Sequence, residues 1–198
     1  INPPPEDVRI DDDGNWLAKF YMDTSQSFDV TVSGYAKLYP TSRENIKILP
    51  EKTRKLYLSS KKYWESDNSE IVKIAQELKS PEKIYQYVVD TLKYDPARLN
   101  QSTIERYGAV KALKNPSSAV CMEFTDLFIA LSRAAGIPAR EINGYAFGGN
   151  KTLRPLGLAG SDGDILHSWP EYWDDVRGWV PVDPTWGATT GGADYFHQ

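Results

Sequence analysis

The sequence predicts a mixed fold of helices and antiparallel strands, and three features carry that reading. Apolar residues recur at helical spacing in consecutive segments between residues 71 and 135. Strand-like segments flank them, at 16–39 on one side and 140–183 on the other. Within the latter, Ile165 to Trp173 and Trp179 to Asp183 read as a hairpin around Asp174 to Gly178.

Asn2 to Asp13 is Pro-rich and then acidic, and reads as linker. Asp13-Gly14-Asn15 is a turn signal. Trp16 to Met22 and Phe28 to Tyr39 read as two strands, the second with Phe28, Val30 and Val32 alternating with Asp29, Thr31 and Ser33. Two strands alone are marginal in water. They therefore either pack on the following domain or end a preceding β-domain. A boundary between Pro40 and Pro50 divides a β extension, 1–50, from a main domain, 51–198.

Ile71, Ile74, Ala75 and Leu78 form a helical stripe after Asn68 and Ser69, which can cap it. Ser80-Pro81 places a capping side chain and a proline at the next helix start, and Ile84, Tyr87, Val88, Thr91 and Leu92 make its inward face. Asp95-Pro96 stops it. Gly108 to Leu113 is a further short helix. Phe124, Leu127, Phe128, Leu131 and Ala135 then share one face of a longer helix. Gly136 closes that helix and Pro138 forbids its return. Arg140 to Phe147 is a strand ended by Gly148-Gly149, and Asn150 to Asp164 is a Gly-rich loop.

The net charge of −4 comes without any basic run. A nucleic-acid groove needs clustered Lys and Arg, so that class is excluded. No apolar stretch reaches the roughly 18 residues that span a bilayer. The chain opens on Ile1 and not on Met, so it reads as a processed product or a piece of a larger multidomain protein.

The 198 residues hold one Cys and two His, which leaves thiol chemistry few places to live. With Ser118 as N-cap, Cys121 is the third residue of the long helix. There the free N–H groups and the positive dipole end favour a thiolate and can hold an oxyanion. Glu123 and Asp126 lie on other helix faces. His167 and Asp183 are separated by an even number of residues. In an unbulged hairpin both side chains then share a face, with His167 opposite Thr185 and Asp183 opposite Trp169. A carboxylate-to-imidazole hydrogen bond is within reach on that diagonal. Thiol, imidazole and carboxylate are the parts of nucleophilic acyl chemistry. Each taken alone also fits a structural role: a buried Cys, a satisfied strand His, a strand end before Pro184.

Three stretches resemble the core motifs of the transglutaminase-like superfamily. They are Ala119 to Phe124 continuing through Leu127-Phe128 to Arg140 with Gly144-Tyr145, then His167 to Trp173, then Gly178 to Gly187. The resemblance spans roughly residues 80 to 187. It implies a papain-like α+β fold, in which a helical N-terminal part packs on an antiparallel β-sheet behind an N-terminal β-strand extension. It implies Cys121 as nucleophile, His167 as base and acid, and Asp183 as the residue that orients His167. Such domains often belong to larger secreted or membrane-anchored proteins, so an extracytoplasmic setting is expected. One departure stands out: the residue two before the Cys is Ala119, where the family usually has Gly.

Acyl transfer on peptide or protein carboxamides through a Cys121 thioester is the expected function. The substrate is a protein or peptide, with no metal or organic cofactor, no nucleic acid and no membrane within this segment. Trp169, Trp186 and Tyr145 are the candidates for the oxyanion or substrate cleft, and Trp173 and Trp179 cluster near them in sequence. Two other readings stay open. One is a peptidase or amidase with the same three residues; the other is a binding module that has kept them without catalysis.

Overall fold

A computed structural model describes residues 1–11, 13–23, 27, 29–35, 48–101, 103–146, 165–190 and 196. The chain divides into two compact units, Ile1–Thr41 and Ser42–Gln198.

In the first unit, β1 (Asp7–Ile10) pairs antiparallel with β2 (Trp16–Lys19), Val8 opposite Ala18 and Ile10 opposite Trp16. The segment expected as linker thus supplies a strand, because Val8 and Ile10 alternate with charged residues on the partner's register. The turn between them is built by Asp11, whose Oδ1 accepts from the Asn15 N–H at 2.8 Å, and by Gly14 at φ 84°. The strand expected over 28–39 is not formed in its described part, 29–35, where Thr31 makes a single bridge to Asn2. The rest of that span lies outside the described residues.

The second unit is α+β. It begins with α1 (Glu51–Leu58), which sequence periodicity missed because only Tyr57 of its eight residues is buried. Helix α2 (Ser69–Leu78) is capped by Asn68, whose side chain accepts from the Glu70 and Ile71 N–H groups. Helix α3 (Pro81–Thr91) starts as expected, with the Ser80 hydroxyl accepting from Lys83 N–H and Pro81 in the first turn. A short 3-10 helix (Pro96–Asn100) and α4 (Ala109–Lys114) lead to α5 (Cys121–Ala134). Eleven of the fourteen residues of α5 are buried. That makes it the central element around which α2, α3, α4 and the sheet pack. Phe124, Leu127, Phe128 and Leu131 are fully enclosed, each worth about 1.5–3 kcal/mol of apolar burial.

The sheet has the order β3 (Ala139–Ala146), β4 (Ile165–Asp174), β5 (Gly178–Pro181), all antiparallel. The hairpin register matches the expected centre, with Trp173 opposite Trp179. Its turn is fixed by Asp174, whose Oδ1 accepts from Val176 and Arg177 N–H, and by Gly178 at φ 78°. Strand β5 stops at Pro181, however, two residues before the expected end. Chain pairing lasts one step further through the bond from Val182 N–H to the Pro170 carbonyl, 3.1 Å. Asp183 then caps α6 (Pro184–Thr189). Thr185 is therefore helical, and the expected pairings of His167 with Thr185 and Asp183 with Trp169 are not made. The physical reason is Pro184, which has no N–H for a ladder and suits the first helical position.

Helix α6 lies close on α3. A Cβ at Gly187 would meet the Tyr85 hydroxyl, with Tyr85 Cζ at 3.0 Å and Val89 Cγ2 at 3.1 Å. Tyr85 is itself buried against Phe196, ring centroids 5.5 Å apart, and cannot swing clear. Gly187→Ala should cost about 1–3 kcal/mol through overpacking. Thermal melting should show a drop of several degrees; an unchanged melting temperature would mean that α6 adjusts freely.

Candidate active site

Cys121 is the first residue of α5, not the third. Val120 is the N-cap residue, at φ −119° and ψ −176°. Ser118, the expected cap, is drawn elsewhere: its hydroxyl donates to Asp95 Oδ2 at 3.1 Å and its carbonyl accepts from Arg98. The shift places Cys121 at the positive end of the helix, half-buried, where an anion is favoured.

His167 lies on β4 and is 6% exposed. Its Nε2 meets Asp183 Oδ2 at 2.7 Å. The other carboxylate oxygen, Oδ1, accepts from the Trp186 N–H at 3.0 Å. One carboxylate thus caps α6 and anchors the imidazole. With Nε2 occupied, Nδ1 is the ring nitrogen left for Cys121, whose thiol is coupled to the His167 side chain.

The electrostatics follow from these contacts. Burial pushes the Cys121 thiol up, but the His167 hydrogen bond and charge, with the backbone and hydroxyl of Ser168, outweigh it and hold the thiol below its ordinary value. Burial pulls His167 down, and the bonds to Asp183 and Cys121 overcome it, raising the imidazole to about 9. Both shifts favour a thiolate–imidazolium pair.

Two indoles enclose the ring. Trp169 and Trp186 each lie with centroids 5.9 Å from the imidazole, at interplanar angles of 26° and 28°. Such faces favour a cationic ring. Gly144, opposite His167 in the ladder, gives Trp169 its room, since a Cβ there would stand 3.0 Å from Trp169 Cη2. Tyr145 pairs with Leu166 through its backbone, and its side chain lies outside the described residues. Trp173 and Trp179 are not at the site. They meet edge to face at 5.5 Å, and Trp179 packs on Tyr57 at 5.0 Å. Glu171 pairs with Arg140 at 2.8 Å, away from His167. His197 lies outside the described residues.

Sequence reading missed two neighbours. Ser168 is buried, and its backbone and hydroxyl pull the Cys121 thiol down. Tyr94 is pushed up to about 12 by burial and by the charge on Cys121. Its position was concealed because it depends on a parallel bridge to Ala119, 25 residues on. Among the described residues no group of three or more His, Cys, Asp or Glu side chains is placed to hold a metal ion. No helix among them is long and apolar enough to cross a membrane.

A helix-borne thiol facing an imidazole on an antiparallel sheet defines a papain-like α+β architecture. Residues 68–184 match the model of the transglutaminase-like superfamily, over half of the sequence, and the chain belongs to that superfamily. It is 41% identical over 71 residues to a protein-glutamine gamma-glutamyltransferase of Pseudomonas aeruginosa, covering 35% of this chain and 10% of that protein. It is 32% identical over 119 residues to an uncharacterized protein of Haemophilus influenzae, covering 54% of this chain and 31% of the relative. Among solved structures it resembles a candidate cysteine protease of Cytophaga hutchinsonii, with TM-score 0.50 and 25% identity over 66% of this chain and 41% of the other. The chain therefore spans less than half the length of each of these proteins.

The shifted pair has a direct readout. Alkylation of Cys121 by iodoacetamide should follow thiolate, with a midpoint below the ordinary thiol value of 9.0. In Asp183→Asn the imidazolium loses its anionic partner, so the midpoint should move up toward that value. An unchanged midpoint would show that Asp183 does not act on the thiol through His167.

Proposed function

We propose that this domain transfers acyl groups from peptide or protein carboxamides through a thioester on Cys121. The observation that carries the reading is the His167 imidazole, bonded at Nε2 by Asp183 at 2.7 Å and coupled electrostatically to the Cys121 thiol.

The Cys121 thiolate attacks the carboxamide carbon. A C–S bond forms and the carbonyl π pair moves onto oxygen, where the Cys121 backbone N–H is a donor. Collapse of the adduct breaks the C–N bond, and the His167 imidazolium gives its proton to the departing nitrogen, releasing ammonia or an amine. The neutral imidazole then takes a proton from an incoming amine or water as that nucleophile attacks the thioester. The C–S bond breaks, and the thiolate–imidazolium pair is restored with an amide or acid as product. Asp183 keeps the ring orientation and stabilises its cationic form throughout.

Acyl transfer to an amine is favoured because the relative of Pseudomonas aeruginosa is named a protein-glutamine gamma-glutamyltransferase. Hydrolysis of a peptide amide is the second reading, since the structural neighbour from Cytophaga hutchinsonii is named as a candidate cysteine protease.

Incubation with a Gln-containing protein and a labelled primary amine separates the two. Transfer predicts label in the protein, whereas fragments without label support hydrolysis. Cys121→Ala should abolish either product, and activity surviving that change would sink the thioester mechanism.

Activity should also decline as pH rises through about 9, where His167 loses the proton it must give to the leaving group. The same raised histidine contributes stability fully below its ordinary 6.5, lost as pH climbs through about 9. A rate that keeps rising past pH 10 would contradict both.

A further inference from the structure

Beside the thiol, α5 begins with an ion pair that the mechanism above leaves without a task. Arg98 is 2% exposed and Glu123 is fully buried, with Nη1 to Oε2 at 2.7 Å. Backbone wraps the pair. Glu123 Oε2 accepts from Val120 N–H at 2.9 Å, and Oε1 accepts from Tyr107 N–H at 2.9 Å. Arg98 Nη1 donates to the Ser118 carbonyl at 2.8 Å, and Nη2 donates to the Glu105 carbonyl. The guanidinium lies 3.9 Å from the centre of the Tyr107 ring.

Two buried charges are a poor means of stability alone, since apolar residues of similar volume often do as well. What these charges supply is direction. Val120 is held at both ends: its N–H by Glu123 Oε2, its carbonyl by the N–H groups of Glu123 at 3.0 Å and Phe124 at 3.4 Å. The peptide plane joining Val120 to Cys121 is therefore fixed. Glu123 reaches back to the N-cap amide and no further. Among the described residues nothing accepts from the N–H groups of Cys121 or Met122. The first free donor of the helix is thus the amide of the residue that carries the sulfur.

We propose that Arg98 and Glu123 are positioning residues for the oxyanion of acyl transfer. They lock the Val120–Cys121 peptide so that the Cys121 N–H stays free and aimed at the developing charge. Arg98 also cancels the carboxylate charge of Glu123, which would otherwise oppose both the thiolate and the oxyanion. This rests on the thioester reading. The amide donates a hydrogen bond and transfers no proton: the π pair that moves onto oxygen as C–S forms returns to carbon as C–N breaks.

The test separates reactions that need an oxyanion donor from one that does not. Arg98→Lys keeps the charge and loses the fork; Glu123→Gln keeps an acceptor for Val120 and loses the charge. For each folded variant, Cys121 is probed with iodoacetamide, which needs thiolate alone, and with a peptide aldehyde, whose hemithioacetal carries an oxyanion. Aldehyde affinity and kcat should fall at least about tenfold, while KM stays within about twofold and the alkylation rate does not fall. Alkylation falling in step with kcat, or no change in either, overturns the proposal.

A measurement on the unaltered chain stands beside these. In amide exchange, Val120 and Tyr107 should be protected, and Cys121 should exchange freely until the aldehyde binds. Protection of the Cys121 amide in the free protein would also overturn it. A parent protein that forms neither thioester nor aldehyde adduct at Cys121 defeats the acyl-transfer reading itself. Variants that match an active parent defeat only this assignment.

Discussion

A single carboxylate at the junction of β5 and α6 sets the geometry of the site. Asp183 uses Oδ1 to cap α6 on the Trp186 N–H and Oδ2 to hold His167. A carboxylate serving only one partner could rotate about its side chain; one fixed at both oxygens cannot. The same cap decides where Trp186 goes. Because the capped amide belongs to Trp186, that residue sits in the first turn of α6, and its indole comes to rest beside the imidazole that Asp183 binds. Strand end, helix start, ring orientation and one aromatic face thus follow from one side chain. Pro184 makes the arrangement possible by ending the ladder where the carboxylate is needed.

The thiol's electrostatic surroundings depend on cancelling what the sequence placed against it. Glu123 and Asp126 stand within the first two turns of α5, which begins at Cys121. Each is fully buried and each is met by a guanidinium: Glu123 by Arg98, and Asp126 by Arg106, whose Nε donates at 2.9 Å. Trp64 Nε1 also donates to Asp126 at 2.8 Å. Arg106 is shared, its Nη2 also meeting Glu141 Oε2 at 3.0 Å, so the pairing offsets Glu123 more completely than Asp126. Helical spacing sends the two side chains to other faces, and the arginines offset part of their charge.

Much of this was legible where local chemistry decides local structure. Asn68, Ser80-Pro81 and Gly108 mark helix starts at 69, 81 and 109, and the centre of the hairpin fixed the register that ends at Glu171 opposite Pro181. Failures came where a distant group outbids a local preference. Ser118 has the better capping side chain, yet Asp95 takes its hydroxyl and the helix starts after Val120. Helix α6 contains a Gly and two Thr, weak helix formers, and is held by its cap and by packing on α3. Helix α1 carries too few buried residues for a period to show. The four tryptophans near the hairpin look equivalent in sequence. Their division, with Trp169 and Trp186 on the imidazole, Trp173 on Trp179 and Trp179 on Tyr57, comes from position along the strands and from helices that reading along the chain did not find.

Ala119 stands two residues before Cys121, where the resembled family usually has Gly. A glycine there would serve either a positive φ or a backbone approach too close for a methyl group. Neither demand exists in this chain. Among the described residues Lys79 is the non-glycine with positive φ, and Ala119 is not strained. The neighbouring segment approaches edge-on, through Ala119 N–H to the Lys93 carbonyl at 3.2 Å and Asp95 N–H to the Ala119 carbonyl at 2.8 Å. The methyl therefore points into the core, where it is fully buried with Phe124, Leu127 and Phe128 in one apolar cluster. It adds packing at the point where Tyr94 and the start of α5 are tied together. An alanine here stiffens the backbone that leads to Cys121, a change in the same direction as the hold of Arg98 on the Ser118 carbonyl and of Glu123 on the Val120 N–H.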